Sequence, residues 1–276
     1  MFKIAGIVDK QLISDAKKST RDYTHFHSSE WYKCHRKIAY AYYEAKGFIK
    51  LDESVYKFDP QLERIFDNGH FTHDRWRKYL EKTNALMGRW ECQNWMAHEK
   101  PKIFGLENKL GILKPDKCEC GSDRFIYHEV GFYDEETMWG GHVDAVMDLS
   151  LLDLHSSAEC KYLIIDFKTM NPFQFKKLAE PLPEHIVQMQ IYLYLSGLRV
   201  GNFLYEDKGC QAVKEYIVEI NEELIAEKKK EALRLKGILH HSADGRHYLP
   251  ERGYDSRGHQ ECLRCKFRGH CWKGVQ

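Results

Sequence analysis

The sequence predicts an α/β fold, a central mixed sheet flanked by helices. Helical apolar periodicity comes first, strand patterns follow one another through the middle, and an apolar helix, further strands and a charged helix close the order. The first helix is expected from Ser29 to Ala45, with Trp31, Cys34, Ile38, Ala41/Tyr42 and Ala45 on one stripe and Gly47 as its cap. A second opens at Asp59-Pro60, a cap followed by proline at the first helical position, and runs toward Leu80. Its stripe is Ile65/Phe66, Gly69, His73, Trp76 and Leu80.

Residues Gly88–Arg124 carry Pro101, Gly105, Gly111, Pro115 and Gly121, and are expected as a loop-rich insertion, 88–124, within a single domain spanning 1–276. Strands are expected at Phe125–Phe132, Gly141–Leu149 and Tyr162–Thr169, then a helix at Glu184–Leu195. Further strands follow near Asn202–Tyr205 and Val213–Ile220, and a charged amphipathic helix at Glu222–Lys236. A Gly- and Arg-rich tail, 253–276, ends the chain.

Composition limits the function classes. The 276 residues are 43% hydrophobic and 30% charged, as in ordinary soluble globular proteins. A net charge of +1 does not announce a nucleic-acid binder, so any such surface must be a local patch. No run of about 18 apolar residues is present, so no membrane partner is expected. The opening Met1-Phe2-Lys3-Ile4 lacks an apolar signal core, which makes a cytoplasmic setting the expectation. Nine cysteines, an odd number and unevenly placed, point to metal rather than to disulfides in that setting.

The most informative segment is Tyr162-Leu-Ile-Ile-Asp166-Phe-Lys168-Thr169. Strand alternation sends Leu163, Ile165 and Phe167 to one face and Ile164, Asp166 and Lys168 to the other. A carboxylate and a lysine thus emerge together from an apolar strand, where a lone buried charge is costly. Upstream, Gly140-Gly141-His142-Val143-Asp144 places a second acid on a neighbouring strand pattern. Two converging carboxylates bind a hard cation such as magnesium or manganese. The plain alternative is an Asp–Lys ion pair at a strand end. His73 stands on the inward stripe of its helix, where a lone histidine is more often a satisfied core residue. His185, Gln188 and Tyr192 form a polar stripe at i, i+3 and i+7 on a helix too apolar to be exposed, with Gln190 and Tyr194 repeating the spacing on another face.

In order, Gly69-x-x-x-His73, Gly141-x-x-Asp144, Asp166-x-Lys168 and Gln188-x-x-x-Tyr192 resemble the nuclease motifs of the PD-(D/E)XK superfamily. The branch most resembled is the RecB/AddB-like one, which includes the CRISPR-associated adaptation exonuclease and its phage-borne relatives. Each motif alone is weak, whereas the ordered set is specific. The resemblance runs from Cys34 to Cys271, with the 88–124 region less well matched. One departure is that the acid before the lysine is often glutamate in this branch and here is Asp166.

The resemblance implies a restriction-endonuclease-like core and hydrolysis of a DNA phosphodiester, from an end, on single-stranded or end-containing DNA. It implies His73, Asp144, Asp166 and the Phe167 carbonyl as ligands of Mg2+ or Mn2+, and Lys168 as the catalytic lysine. Gln188 and Tyr192 would position that lysine or a phosphate. Recombination, repair or replication is the implied setting, in a bacterial or phage-infected host cell, with proteins of recombination or replication as further partners. Two other functions compete: a CRISPR-adaptation processing nuclease, and a DNA-binding module without catalysis. The intact Asp144, Asp166 and Lys168 speak against the second.

Cys262-x-x-Cys265 followed by Cys271 supplies three thiolates in a basic stretch with Arg264, Lys266 and Arg268, and a four-ligand site needs one more. The resemblance assigns the fourth to Cys34, which would make an iron–sulfur clasp between the two ends of the chain. On ligand count a [4Fe–4S] cluster and zinc fit equally, and His35 or His270 could serve zinc; the resemblance favours the cluster. No other reason for the first helix and the tail to meet is evident in the sequence. Cys118-Glu-Cys120-Gly121 resembles a zinc knuckle shortened by one residue. Trp95 stands where a partner for Cys92 would be expected, and His98 could take that place, so zinc on Cys92, His98, Cys118 and Cys120 stays open. Cys160 and Cys210 read as ordinary residues.

Overall fold

The structure, a computed structural model, describes residues 4–15, 21–51, 59–152, 160–240 and 248–273. Met1-Phe2-Lys3 and the last three residues of the expected 253–276 tail lie outside the described residues. The chain divides into two compact units, one of Met1–Phe26, Lys33–His70 and Arg234–Gln276, the other of His27–Tyr32 and Phe71–Leu233.

The second unit holds the sheets. Its principal sheet has the order β11-β10-β9-β8-β2-β3, built from β2 (Leu86–Cys92), β3 (Ile103–Phe104), β8 (Ala145–Asp148), β9 (Tyr162–Met170), β10 (Val200–Asp207) and β11 (Val213–Glu219). β4 (Ile112–Leu113) and β5 (Phe125–His128) also pair with β2. β9 and β10 run parallel, with Asp166 beside Phe203, whereas β8 runs antiparallel to β9, with Ala145 beside Ile165. The sheet is therefore mixed, as expected. A smaller sheet has the order β1-β7-β6, from β1 (Phe26–His27), β6 (Val130–Tyr133) and β7 (Trp139–Val143).

Strand alternation along β9 decides the packing. Ile165 and Phe167 join Leu86, Trp90 and Leu204 in one apolar cluster, against Trp76 and Leu80 of α3 (Pro60–Glu81). Ile164 and Met170 join the other, against Met189, Tyr192 and Leu193 of α5 (Pro183–Ser196). α4 (Pro172–Lys177), which sequence patterns did not suggest, comes between β9 and α5 in the chain, and α6 (Glu222–His240) follows β11.

Several boundaries differ from expectation. The helix expected from Ser29 is α2 (His35–Ala45), preceded by a short 3-10 turn at Ser28–Glu30. Trp31 lies before α2 and packs edge-on against Trp139 at 5.6 Å. The loops expected from Gly88 begin with most of β2, whose Gly88 to Cys92 pair with β4 and β5. The single strands expected at 125–132 and 141–149 are each broken, at Glu129 and at Asp144, where the chain leaves one sheet for the other.

In the first unit, α1 (Ile4–Asp15), α2, α7 (Gln260–Leu263) and α8 (Arg268–Cys271) are the helices wholly contained. Tyr40 of α2 stacks on Phe267 at 5.4 Å, and Cys265 and Cys271 pack around the same cluster. Tyr43 donates a hydrogen bond to the carbonyl of Tyr248 (2.6 Å) and Arg36 to that of Pro250 (2.8 Å). The first helix and the tail thus have packing and hydrogen bonds of their own, contrary to the expectation that only shared cysteines would join them.

Candidate active site

Asp166 and Lys168 lie on the α5 side of β9. The Lys168 ammonium is 2.6 Å from Asp166 Oδ2 and donates a hydrogen bond to Gln188 Oε1 at 3.0 Å. Gln188 Nε2 in turn donates to the Tyr192 hydroxyl at 2.9 Å. Gln188 and Tyr192 are both buried on α5, so the lysine is held from one side by a short polar chain inside an apolar helix face. Asp166 Oδ2 is buried, and the Lys168 ammonium is its close partner. A buried carboxylate is costly without a cation, and in this structure Lys168 is that cation.

Asp144 sits at the break between β7 and β8. The β8–β9 ladder ends at the Ala145–Ile165 pair. Beyond it, the amide of Phe167 donates to Asp144 Oδ2 at 2.7 Å, so the side chain takes over where the backbone ladder stops. The bend also explains Gly141: a Cβ there would lie 2.6 Å from Ser28 Oγ and 2.8 Å from Tyr192 Cε1. Tyr192 and the strand carrying Asp144 can approach each other only because that position has no side chain.

His73 reaches Asp144 from α3, with Nδ1 3.2 Å from Oδ1, and packs against the Phe167 ring at 5.5 Å. Arg77, one turn along, donates from Nε to the Asp144 carbonyl at 3.0 Å and lies 3.5 Å from Asp144 Oδ1. Its guanidinium also pairs with Glu129. Sequence reasoning did not single out Arg77 or Glu129. The signals available were the i+4 spacing of Arg77 from His73 and an acid between two strand patterns.

The electrostatics follow from this crowding. Burial pushes the Asp166 carboxyl up to about 6, with Lys168 opposing and Asp144 adding to the shift. Burial likewise pushes Glu129 up to about 7, helped by the charge on Asp144. Asp144 is also opposed by burial, but His73, Lys168 and Arg77 together hold it below its usual value. For His73 burial lowers and the Asp144 hydrogen bond and charge raise, and Asp144 prevails. At Asp166, burial therefore outweighs the stabilisation that Lys168 and His73 supply.

The structure brings Asp144, Asp166, Lys168, Gln188, Tyr192 and His73 into one connected site. His73 stands on the Phe167 face of β9, while Asp166 points to the α5 face. Accordingly His73, Asp144 and Asp166 do not each place a ligand atom within 4.8 Å of the others; among the described residues only Cys92, His98, Cys118 and Cys120 do so. His185 leaves the polar stripe and meets the Tyr205 hydroxyl at 2.7 Å. Gln190 brackets the end of β11, donating to the Glu219 carbonyl at 2.8 Å and accepting from the Asn221 amide at 2.6 Å. Cys34, Cys262, Cys265 and Cys271 line a single small cavity in the first unit.

Two carboxylates, a lysine and a polar chain at a strand end are what a metal-assisted hydrolase of phosphodiesters requires. The model of the PD-(D/E)XK nuclease superfamily matches residues 37–272 of the chain, and the chain belongs to that superfamily, whose nucleases use divalent metals. No curated protein matches it. Similar solved structures include that of SSO0001 (14% identity, 96% of this chain and 95% of that one, TM-score 0.44). They also include an alkaline exonuclease, LHK-Exo, from Laribacter hongkongensis (23% identity, 44% of this chain and 60% of that one, TM-score 0.35). LHK-Exo in complex with dAMP is a third (14% identity, 81% and 92%, TM-score 0.42). No helix among the described residues is long and apolar enough to cross a membrane.

Proposed function

We propose that the chain is a deoxyribonuclease of the RecB/AddB-like branch that hydrolyses DNA from its ends, with single strands preferred, in recombination, repair or replication. The observation that carries the reading is a pair of buried carboxylates, Asp144 and Asp166, beside a lysine that Gln188 holds in place. Asp144 and Asp166 would hold a Mg2+ or Mn2+ ion with the Phe167 carbonyl, and His73, which meets Asp144 from the Phe167 face, would join that shell only by moving toward Asp166. When bound, such an ion activates water and stabilises charge on phosphate oxygens.

The remaining work falls to the chain's own groups. Lys168 presents positive charge where the phosphate oxygens gain negative charge, and Gln188 and Tyr192 fix its direction. Arg77 holds the Asp144 backbone and pairs with Glu129, which keeps the bend closed. An ion held by Asp166 would share its carboxylate with Lys168 and leave the ammonium more available to the substrate.

Cys34, Cys262, Cys265 and Cys271 would hold a [4Fe–4S] cluster in the first unit. One feature supports this: the four cysteines line one cavity. The test of the whole reading is digestion of end-labelled single- and double-stranded DNA with magnesium or manganese. Mononucleotides or short products released from one end are expected. Internal cuts only, or binding with no cleavage under either metal, would overturn it.

A further inference from the structure

The segment between β2 and β5 contains a second group of sulfur and nitrogen ligands, separate from both the carboxylates and the cavity cysteines. Cys92 Sγ and Cys120 Sγ are 3.6 Å apart, and Cys118 Sγ is 3.4 Å from His98 Nε2. All four ligand atoms lie within 4.8 Å of one another. With zinc–sulfur bonds of about 2.3 Å and zinc–nitrogen bonds of about 2.0 Å, a tetrahedral site has ligand–ligand edges of roughly 3.5–3.8 Å. We infer that Cys92, His98, Cys118 and Cys120 hold a structural zinc ion that fastens the 88–124 segment.

The local backbone brings the ligands together. Cys92 is the last residue of β2, and its amide donates to the Lys102 carbonyl at 2.9 Å. A short 3-10 turn at Trp95–Ala97 then reverses the chain and returns His98 toward the strand end. Cys118 and Cys120 lie in a knuckle: the Gly121 amide donates to the Cys118 carbonyl and the Cys118 amide to the Ser122 carbonyl, each at 2.8 Å. Gly121 has φ +84°, which a residue with a side chain adopts only with strain. Trp95 stands where a knuckle would place a second cysteine, and the turn compensates by delivering His98 three residues later.

Chemistry and need both favour zinc. Thiolates and imidazole are ligands for a soft or borderline ion, not for magnesium. Four protein ligands leave no open position for water, which makes the site structural rather than catalytic. Asn94 Nδ2 approaches Cys120 Sγ at 3.8 Å, an outer contact of the kind that steadies a metal-bound thiolate. β3 and β4 have two residues each, too few to hold the segment by strand pairing. Cys92 and Cys120 are free thiols, and their 3.6 Å separation is well beyond a disulfide bond of about 2.05 Å.

Metal analysis of the full-length chain, purified without oxygen, tests the site. About one zinc per chain is expected, retained through dialysis against a chelator. Cys118→Ser should lose that zinc and keep its iron, and Cys34→Ala should keep its zinc. If Cys118→Ser does not fold, the Cys34→Ala chain grown with cobalt in place of zinc decides. Intense visible bands of tetrahedral cobalt with thiolate charge transfer support the site, and their absence counts against it. Zinc-free wild type, zinc unchanged in Cys118→Ser, zinc lost in Cys34→Ala, or a Cys92–Cys120 disulfide found by peptide mapping would each overturn the inference.

Discussion

Replacing Asp166 with asparagine separates the electrostatic burden of the site from its chemistry. Asp166 is 2% exposed, and burial above all pushes its carboxyl up to about 6. In the unfolded chain the same group titrates at about 3.9. Between those values the folded protein keeps a proton that the unfolded chain releases. Raising the pH therefore costs stability across this window, and the whole penalty is present above the folded value. A shift of about two pK units corresponds to about 3 kcal/mol. At pH 5 roughly half of it is expressed.

Asp166→Asn removes the charge and with it the penalty. In a chelator, the variant should be more stable than wild type at pH 8, by up to about 3 kcal/mol, or roughly 6–10 °C in Tm. The advantage should shrink to about half at pH 5. Lys168 keeps its bond to Gln188 at 3.0 Å, so its loss of Asp166 trims the gain without cancelling it. Magnesium should stabilise wild type and not the variant, since a ligand stabilises only the state that binds it. Thermal unfolding at both pH values, with and without magnesium, reads all of this. A variant less stable than wild type by the same amount at pH 5 and pH 8 would refute the reasoning.

Other substitutions probe the rest of the site. Lys168→Ala should lower the cleavage rate by roughly 10²–10³-fold with DNA binding largely kept, and His73→Ala should do less, because water can replace one neutral ligand. Single-turnover rates and binding titrations check both. Gly141→Ala places a Cβ 2.6 Å from Ser28 Oγ and 2.8 Å from Tyr192 Cε1, so it should cost about 1–3 kcal/mol of stability and lower kcat more than it changes KM. Unchanged kcat in that variant would mean that Tyr192 does not position Lys168. Cys34→Ala should bleach the visible absorbance and lower iron content while the tail stays folded, because the Tyr40–Phe267 stack and the Arg36 and Tyr43 hydrogen bonds remain. Full iron content in Cys34→Ala would remove Cys34 from the ligand set.

Residues whose role is set by local periodicity were legible in the sequence. Alternation along Tyr162–Thr169 placed Asp166 and Lys168 on one face, and β9 packs as that alternation requires. Helical spacing placed Gln188 under Tyr192, and the two are hydrogen-bonded. Features set by tertiary context were not legible. Unbroken β-forming runs hid the breaks at Glu129 and Asp144, because a chain that changes sheets keeps its apolar pattern on both sides of the bend. Gly88–Cys92 looks like a loop in sequence because of neighbouring glycines and prolines, yet pairing with β3, β4 and β5 makes it a strand. Arg77 and Glu129 look like surface charges, and only the fold turns them toward Asp144. On α3 the apolar stripe packs on the sheet at Trp76 and Leu80, whereas Ile65 and Phe66 are exposed.

The most direct test of the central claim compares wild-type protein with Asp166→Ala on end-labelled single-stranded DNA in manganese, with folding checked by thermal unfolding. Wild type should degrade the DNA, and folded Asp166→Ala should be inactive by several powers of ten while still binding it. A folded Asp166→Ala protein that cleaves at the wild-type rate would contradict the assignment of Asp144, Asp166 and Lys168 as the catalytic centre.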